Sequence, residues 1–174
     1  MNRVTKNSPS ANNSAGAVMA FDFGLKRIGV AIGNLELGIA HPITTLQVET
    51  NIDRLAAVEK LVAEWCPTQF VIGEAQYESP VTNEPHPIAH LAKKFGNRLT
   101  EQYHLPVNYV NEFLTSAEAV RQLHEQGVKM GRNSVQKVQR TQKALLDAVS
   151  AQIILQAFFD QQQSQKNMKA RDAA

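Results

Sequence analysis

The sequence predicts an α/β domain in which a five-stranded mixed sheet is flanked by helices. Three observations carry that expectation: strand-like runs cluster at the start, helical and strand periodicities alternate after residue 50, and an apolar helix closes the pattern. The chain has 174 residues, 43% of them hydrophobic. A chain of that size buries about 70% of its unfolded surface, enough for one real core. Residues 1–16 and 161–174 are polar and short of the apolar side chains that offset the entropy of ordering, so they read as an N-terminal and a C-terminal tail, with the end of the last helix fraying into the second as the alternative. A single domain is expected over 17–160.

Taken in order, AVMAFDF (17–23) and RIGVAIGN (27–34) are Gly-bounded apolar runs joined by a short turn, which is a hairpin pattern. GIAHPITTLQV (38–48) offers a third strand, and Pro42 assigns it to an edge or a bulge. The period then changes. Ile52, Leu55, Val58, Val62 and Trp65 recur at helical spacing behind a Thr50/Asp53 start signal, and Pro67 ends the segment. QFVIG (69–73) reads as a buried strand followed by a loop. Ile88, Leu91, Phe95 and Leu99 mark a second helix, and LPVNYVN (105–111) a further strand. Thr115 and Glu118 form a capping box for a helix to Gly127, and a final helix covers about 135–160. The first three strands are expected antiparallel and the next two parallel.

Charge and cysteine usage narrow the function classes. The formal charge is +2, too small by itself to imply a polyanion. The single cysteine, Cys66, excludes an intramolecular disulfide and reads as a core residue at a helix end, in keeping with a cytoplasmic setting. No run approaches the roughly 18 apolar residues of a membrane span, and the N-terminus has no secretory apolar segment.

Three acids sit where acids are costly. Asp22 lies mid-strand between Phe21 and Phe23, and alternation sends it to the face opposite the two rings. Glu112 directly follows the strand VNYV, at the carboxyl end where open α/β sheets place ligands. Asp147 sits in ALLDAVSAQIIL, a helical stretch that is apolar nearly all round. Each has a plain structural reading: Asp22 paired with Lys26, Arg27 or a backbone amide, Glu112 as a loop acid, Asp147 bridged to Lys143 at i−4. Brought together as anions they would repel, and a divalent cation such as Mg²⁺ or Mn²⁺ resolves the repulsion with oxygen ligands.

AFDFGLKRIGVAIGN, VNEFLTSAEA and KALLDAVSAQIILQAFF, in that order and spacing, resemble the YqgF family, also called RuvX, of ribonuclease H-like nucleases. The likeness spans about residues 18–160. It implies a ribonuclease H-like fold and a metal-dependent endonuclease that resolves Holliday junctions or matures the 5′ end of pre-16S rRNA. It also implies that Asp22, Glu112 and Asp147 are the catalytic, metal-binding set, with Glu112 completing the shell or orienting the attacking water. Two loops depart from the family pattern. Where the family commonly has Asp-Glu-Arg-Leu-Thr-Thr, this chain has Asn111-Glu112-Phe113-Leu114-Thr115-Ser116, and after FVIG it reads Glu74-Ala75-Gln76-Tyr77-Glu78-Ser79. An alternative reading is therefore a non-catalytic RNA- or ribosome-binding factor that keeps the fold.

Between Arg121 and Lys143 the chain carries Arg121, Lys129, Arg132, Lys137, Arg140 and Lys143 against Glu125 alone. Beside a metal site, Arg132, Arg140 and Lys143 suit a phosphate backbone, as do Lys26 and Arg27 in the first turn, with solvated helix charges as the plain alternative. The expected partner is nucleic acid, pre-rRNA or branched DNA, alone or in a ribosomal particle, bound by a monomer or a homodimer with no membrane involved. His86 and His90 have zinc-like i, i+4 spacing but neither the intervening Glu nor a third ligand. Gly24, Gly29 and Gly33 also resemble the phosphate loop of the actin and sugar-kinase superfamily, whose second lobe 174 residues cannot supply.

Overall fold

The first two strands form the expected hairpin. β1 (Ala17–Phe23) and β2 (Arg27–Asn34) pair antiparallel, and the Gly24 N–H donates to the Arg27 carbonyl at 2.9 Å to close the turn. The computed structural model describes residues 16–48, 50–74, 87–111 and 135–172, with side chains in the last segment over 144–171. The helix expected at 115–127 and the loop over 75–86 lie outside the described residues.

β3 (Ile39–Gln47) is an edge strand, and its register against β2 shifts between Val30 and Ala31, whose partners are Thr44 and Pro42. Ile43 is thus the extra residue beside the proline, which cannot donate to a ladder. α1 (Asn51–Trp65) starts at Thr50, whose hydroxyl accepts from the Asp53 N–H at 3.1 Å. Thr50→Ala removes that partner and is expected to lower stability by about 1 kcal/mol, read as a melting point lower by roughly 2–4 °C. The helix ends in a left-handed turn at Cys66, φ 45°. That turn swings Cys66 into solvent while Pro67 is buried, so Cys66 is exposed and not the core residue expected. Ile52, counted on the apolar stripe, is 81% exposed, because the first turn of α1 projects beyond the sheet-facing surface that starts at Leu55.

β4 (Gln69–Glu74), α2 (Pro87–Tyr103) and β5 (Val107–Asn111) follow, and α3 (Val135–Asp172) closes the chain. The sheet order is β3-β2-β1-β4-β5, antiparallel among the first three, with β4 parallel to β1 and β5 parallel to β4. α3 runs 12 residues past residue 160 into the segment read as a tail. That extension has no Gly or Pro and is rich in helix-forming Gln and Lys, with Gln163 Nε2 donating to Asn167 Oδ1 one turn on at 3.3 Å. It stays exposed because it presents no apolar stripe.

Strand alternation sorts the core onto two faces. Met19, Phe21 and Phe23 of β1 pack with Ile28, Val30, Phe70, Ile72, Phe95 and Leu99 under α1 and α2. Val18 and Ala20 face the other way, with Ala31, Ala40, Val71 and Val110, against Ala151, Ile154, Leu155, Phe158 and Phe159 of α3. These α3 positions recur at i, i+3, i+4, i+7 and i+8, the stripe a helix needs to lie on a sheet. α3 also covers the backbone of the edge strand: Gln152 Nε2 donates to the Ala40 carbonyl at 3.0 Å and Gln156 Nε2 to the Gly38 carbonyl at 2.9 Å.

Candidate functional site

The site is built where α3 meets the carboxyl end of β1. Val18, Ala20 and Asp22 alternate onto the α3 face, so Asp22 is the first polar position along β1 beyond an apolar pair, and it is part-buried. Its partner across the hairpin is Gly29. A Cβ on Gly29 would collide with the Asp147 carbonyl oxygen, so the absent side chain lets the α3 backbone descend onto β2 at that point. Asp22 and Asp147 therefore lie on the same sheet face, separated laterally by one strand. Below them the same device recurs at Gly33, where a Cβ would meet the Phe159 ring at 2.6 Å. Small residues along one side of β2 thus fix both the height and the register of α3, and with them Asp147.

Asp147 does not stand alone. Arg27 Nε donates to its Oδ2 at 2.5 Å, with side-chain exposures of 31% and 19%. The i−4 bridge to Lys143 has no counterpart among the described side chains, since Lys143 lies outside them. Arg27 occupies the first position of β2 on the side that carries Gly29, and so reaches Asp147 across the sheet face that α3 covers. Lys26, beside it in the turn, is exposed.

Glu112 lies outside the described residues. It follows Asn111, the last residue of β5, which pairs with Glu74 of β4. Phe21 pairs with Ile72, so the carboxyl ends of β1, β4 and β5 share one edge of the sheet. Arg132 is also outside the described residues, and the side chains of Arg140 and Lys143 are as well, although the α3 backbone that bears these two is described. Among the described residues no three His, Cys, Asp or Glu side chains form a metal cluster. The two described acids fit a hard divalent ion in kind: carboxylate oxygens on one face, next to a glycine cradle, at a place where Asp147 already attracts a cation.

Another carboxylate at this edge, Glu74, is committed elsewhere. Lys93 Nζ of α2 bonds its Oε1 at 2.9 Å, which raises the Lys93 ammonium above its ordinary value. Burial, and then the charge of Glu74, push the Tyr109 phenol upward. Position 74 alternates with Phe70 and Ile72 onto the α1/α2 side, away from Asp22. Sequence reading noticed Glu74 only as a departure in a loop, since its partner is 19 residues away on a helix.

Comparison with known proteins places this geometry. A family model described as "RuvX: Holliday junction resolvase" matches residues 16–161. A protein of Dechloromonas aromatica named "Putative pre-16S rRNA nuclease" is 49% identical over 145 residues, covering 83% of this chain and 91% of its own length. One of the same name from Thiobacillus denitrificans is 46% identical, covering 83% and 92%. Among solved structures, Thermus thermophilus RuvC in complex with a Holliday junction substrate aligns with a TM-score of 0.53 at 16% identity, covering 85% of this chain and 96% of that one. A Fowlpox virus resolvase aligns at 0.51 and 10%, covering 83% and 97%. At such identities the structural likeness speaks for the fold, which is the ribonuclease H-like one.

Proposed function

The chain belongs to the RuvX family, and we propose that it is a divalent-metal-dependent endonuclease whose site is the α3-covered end of β1. Its substrate is structured nucleic acid: the 5′ end of pre-16S rRNA, as in the names of its relatives, or a four-way DNA junction, as in the family description. The observation that carries the assignment is the placement of Asp22 and Asp147 on one sheet face, one strand apart, with Gly29 cleared between them.

Asp22 and Asp147 would hold Mg²⁺ or Mn²⁺, with Glu112 completing the set. When bound, such ions lower the pKa of a water and stabilise the leaving oxygen of a phosphodiester. The protein's own part is placement. β1 fixes Asp22, the Gly29 contact fixes the Asp147 backbone, and Arg27 holds the Asp147 carboxylate in one rotamer. Lys26 and the basic stretch from Arg132 through Arg140 to Lys143 would supply phosphate contacts.

The test is cleavage with and without metal. A precursor rRNA fragment and a labelled four-way junction are incubated with the protein in Mg²⁺, in Mn²⁺ and in EDTA. Cutting of either substrate in metal, none in EDTA, and retained binding in EDTA is the expected result. Binding should weaken steeply as salt rises from 50 to 200 mM, the signature of phosphate neutralisation. Binding without cutting at any metal concentration would instead make the chain a nucleic-acid-binding factor. The Arg27–Asp147 pair gives that second reading its footing, because it shows a carboxylate already neutralised by the protein itself.

Arg27→Met separates the two. It removes the Arg27 guanidinium from Asp147 and is expected to lower stability by about 1–3 kcal/mol. If the acids bind metal, Mn²⁺ should raise the melting point of the variant more than that of wild type, because the ion no longer competes with a guanidinium. Equal shifts would mean that Arg27–Asp147 is a structural bridge.

A further inference from the structure

On the opposite side of the sheet, α1 and α2 enclose a cavity of about 120 Å³ whose walls include Phe23, Leu91 and Phe95 and whose polar rim is Arg54, Lys94 and Arg98. No carboxylate is among its described lining residues. Arg54, Lys94 and Arg98 bring three like charges to one apolar-walled recess. Lys94 and Arg98 form no ion pair with a described carboxylate.

Arg54 is held in place. Its Nη2 donates to the Leu25 carbonyl at 2.8 Å, and its guanidinium carbon lies 4.9 Å from the centre of the Phe23 ring, which in turn packs on Phe95 at 5.3 Å. Burial, and after it the like charge of Arg98, push the Arg54 guanidinium below its ordinary value. A guanidinium fork held by the backbone and flanked by two exposed cations is the donor set that tetrahedral oxyanions select. The room is sufficient for a phosphate group with attendant water, since one water needs roughly 10–15 Å³.

We infer that this recess is a phosphate-binding subsite, occupied by a backbone phosphate of the bound nucleic acid away from the bond that is cut. Position argues for that occupant: Phe23 directly follows Asp22 in β1, so recess and acid pair open at the same end of the strand on opposite faces. A strand passing over that edge reaches both. The inference rests on the nuclease reading only for the identity of the polymer. Free phosphate or pyrophosphate shares the chemistry and is the other source the test must separate.

Lys94 and Arg98 are exposed, so Lys94→Gln with Arg98→Gln leaves the core and Arg54 untouched. In EDTA, the affinity for a labelled oligonucleotide should fall roughly tenfold, and the slope of log affinity against log salt should become shallower by about 1 to 2. Neutralising the exposed Lys166 and Lys169 on the α3 extension is the control for overall charge and should change both much less. Unchanged affinity and slope in the Lys94/Arg98 variant, or an equal loss in the control, overturns the proposal. Loss of pyrophosphate binding by titration calorimetry with oligonucleotide affinity intact also overturns it, in favour of a free-anion site. None of these outcomes depends on cleavage, so a failure here and a failure of the nuclease reading are told apart.

Discussion

Asp22→Asn is expected to abolish cutting, by at least about 100-fold, while nucleic-acid binding persists. The substitution keeps shape and burial at the end of β1 but removes the charge that a divalent ion needs, and changes even to residues that merely support a ligand cost 10–100-fold. The fold should survive, because the amide has the shape of the carboxylate at a part-buried position. The measurements are single-turnover cleavage in Mg²⁺ and in Mn²⁺, a binding isotherm in EDTA, and a melting curve. Undiminished cleavage by the variant would remove Asp22 from the catalytic set. Loss of cleavage together with loss of folding would say nothing of chemistry, which is why the melting curve belongs to the experiment.

Gly29→Ala is the largest structural change a single methyl can make here. The added Cβ would overlap the Asp147 carbonyl oxygen and lie 3.1 Å from the Ala148 nitrogen, both backbone atoms of a packed helix with no rotamer to yield. α3 must lift from β2 at its contact with the hairpin, loosening the apolar layer that Ala151, Ile154 and Leu155 form with Val18 and Ala20. Overpacking of this kind costs about 3 kcal/mol or more, which for a chain of this size lowers the melting point by roughly 6–12 °C. Cleavage should fall as well, even below the melting point, since Asp147 moves away from Asp22. A variant with wild-type stability and activity would mean that α3 does not sit on Gly29. Ala148, next in the helix and buried at 4% exposure, offers the converse probe: its small side chain is what the close approach allows.

The element order was legible because each element announces itself locally. β1 and β2 carry Gly-bounded apolar runs, Thr50 caps α1 with its own side chain, and Pro42 marks the bulged edge. The C-terminal end of the last helix was less legible, because 161–172 has no core-facing stripe. Helix propensity, continued from a well-packed N-terminal part, was enough to carry α3 on. Cys66 and Ile52 were misjudged for a related reason: periodicity says which residues share a stripe, not where the sheet beneath the stripe begins and ends.

Within the site, Asp22 and Asp147 were visible as charges in apolar company. The residue that makes their approach possible, Gly29, looked like one glycine of a strand motif, and Arg27 looked like a phosphate ligand, whereas it bonds Asp147 across 120 residues of chain. The Arg54, Lys94 and Arg98 recess left no trace beyond an i, i+4 pair of cations on one helix. The sequence alone determined the alternation of faces and the family, and it marked the acids as candidates because burial and charge conflict at single positions and need no partner to be noticed. Which atoms meet was decided by the tertiary structure: contacts between distant segments depend on how close two backbones can come, and that is set by side chains that are absent as much as by those present.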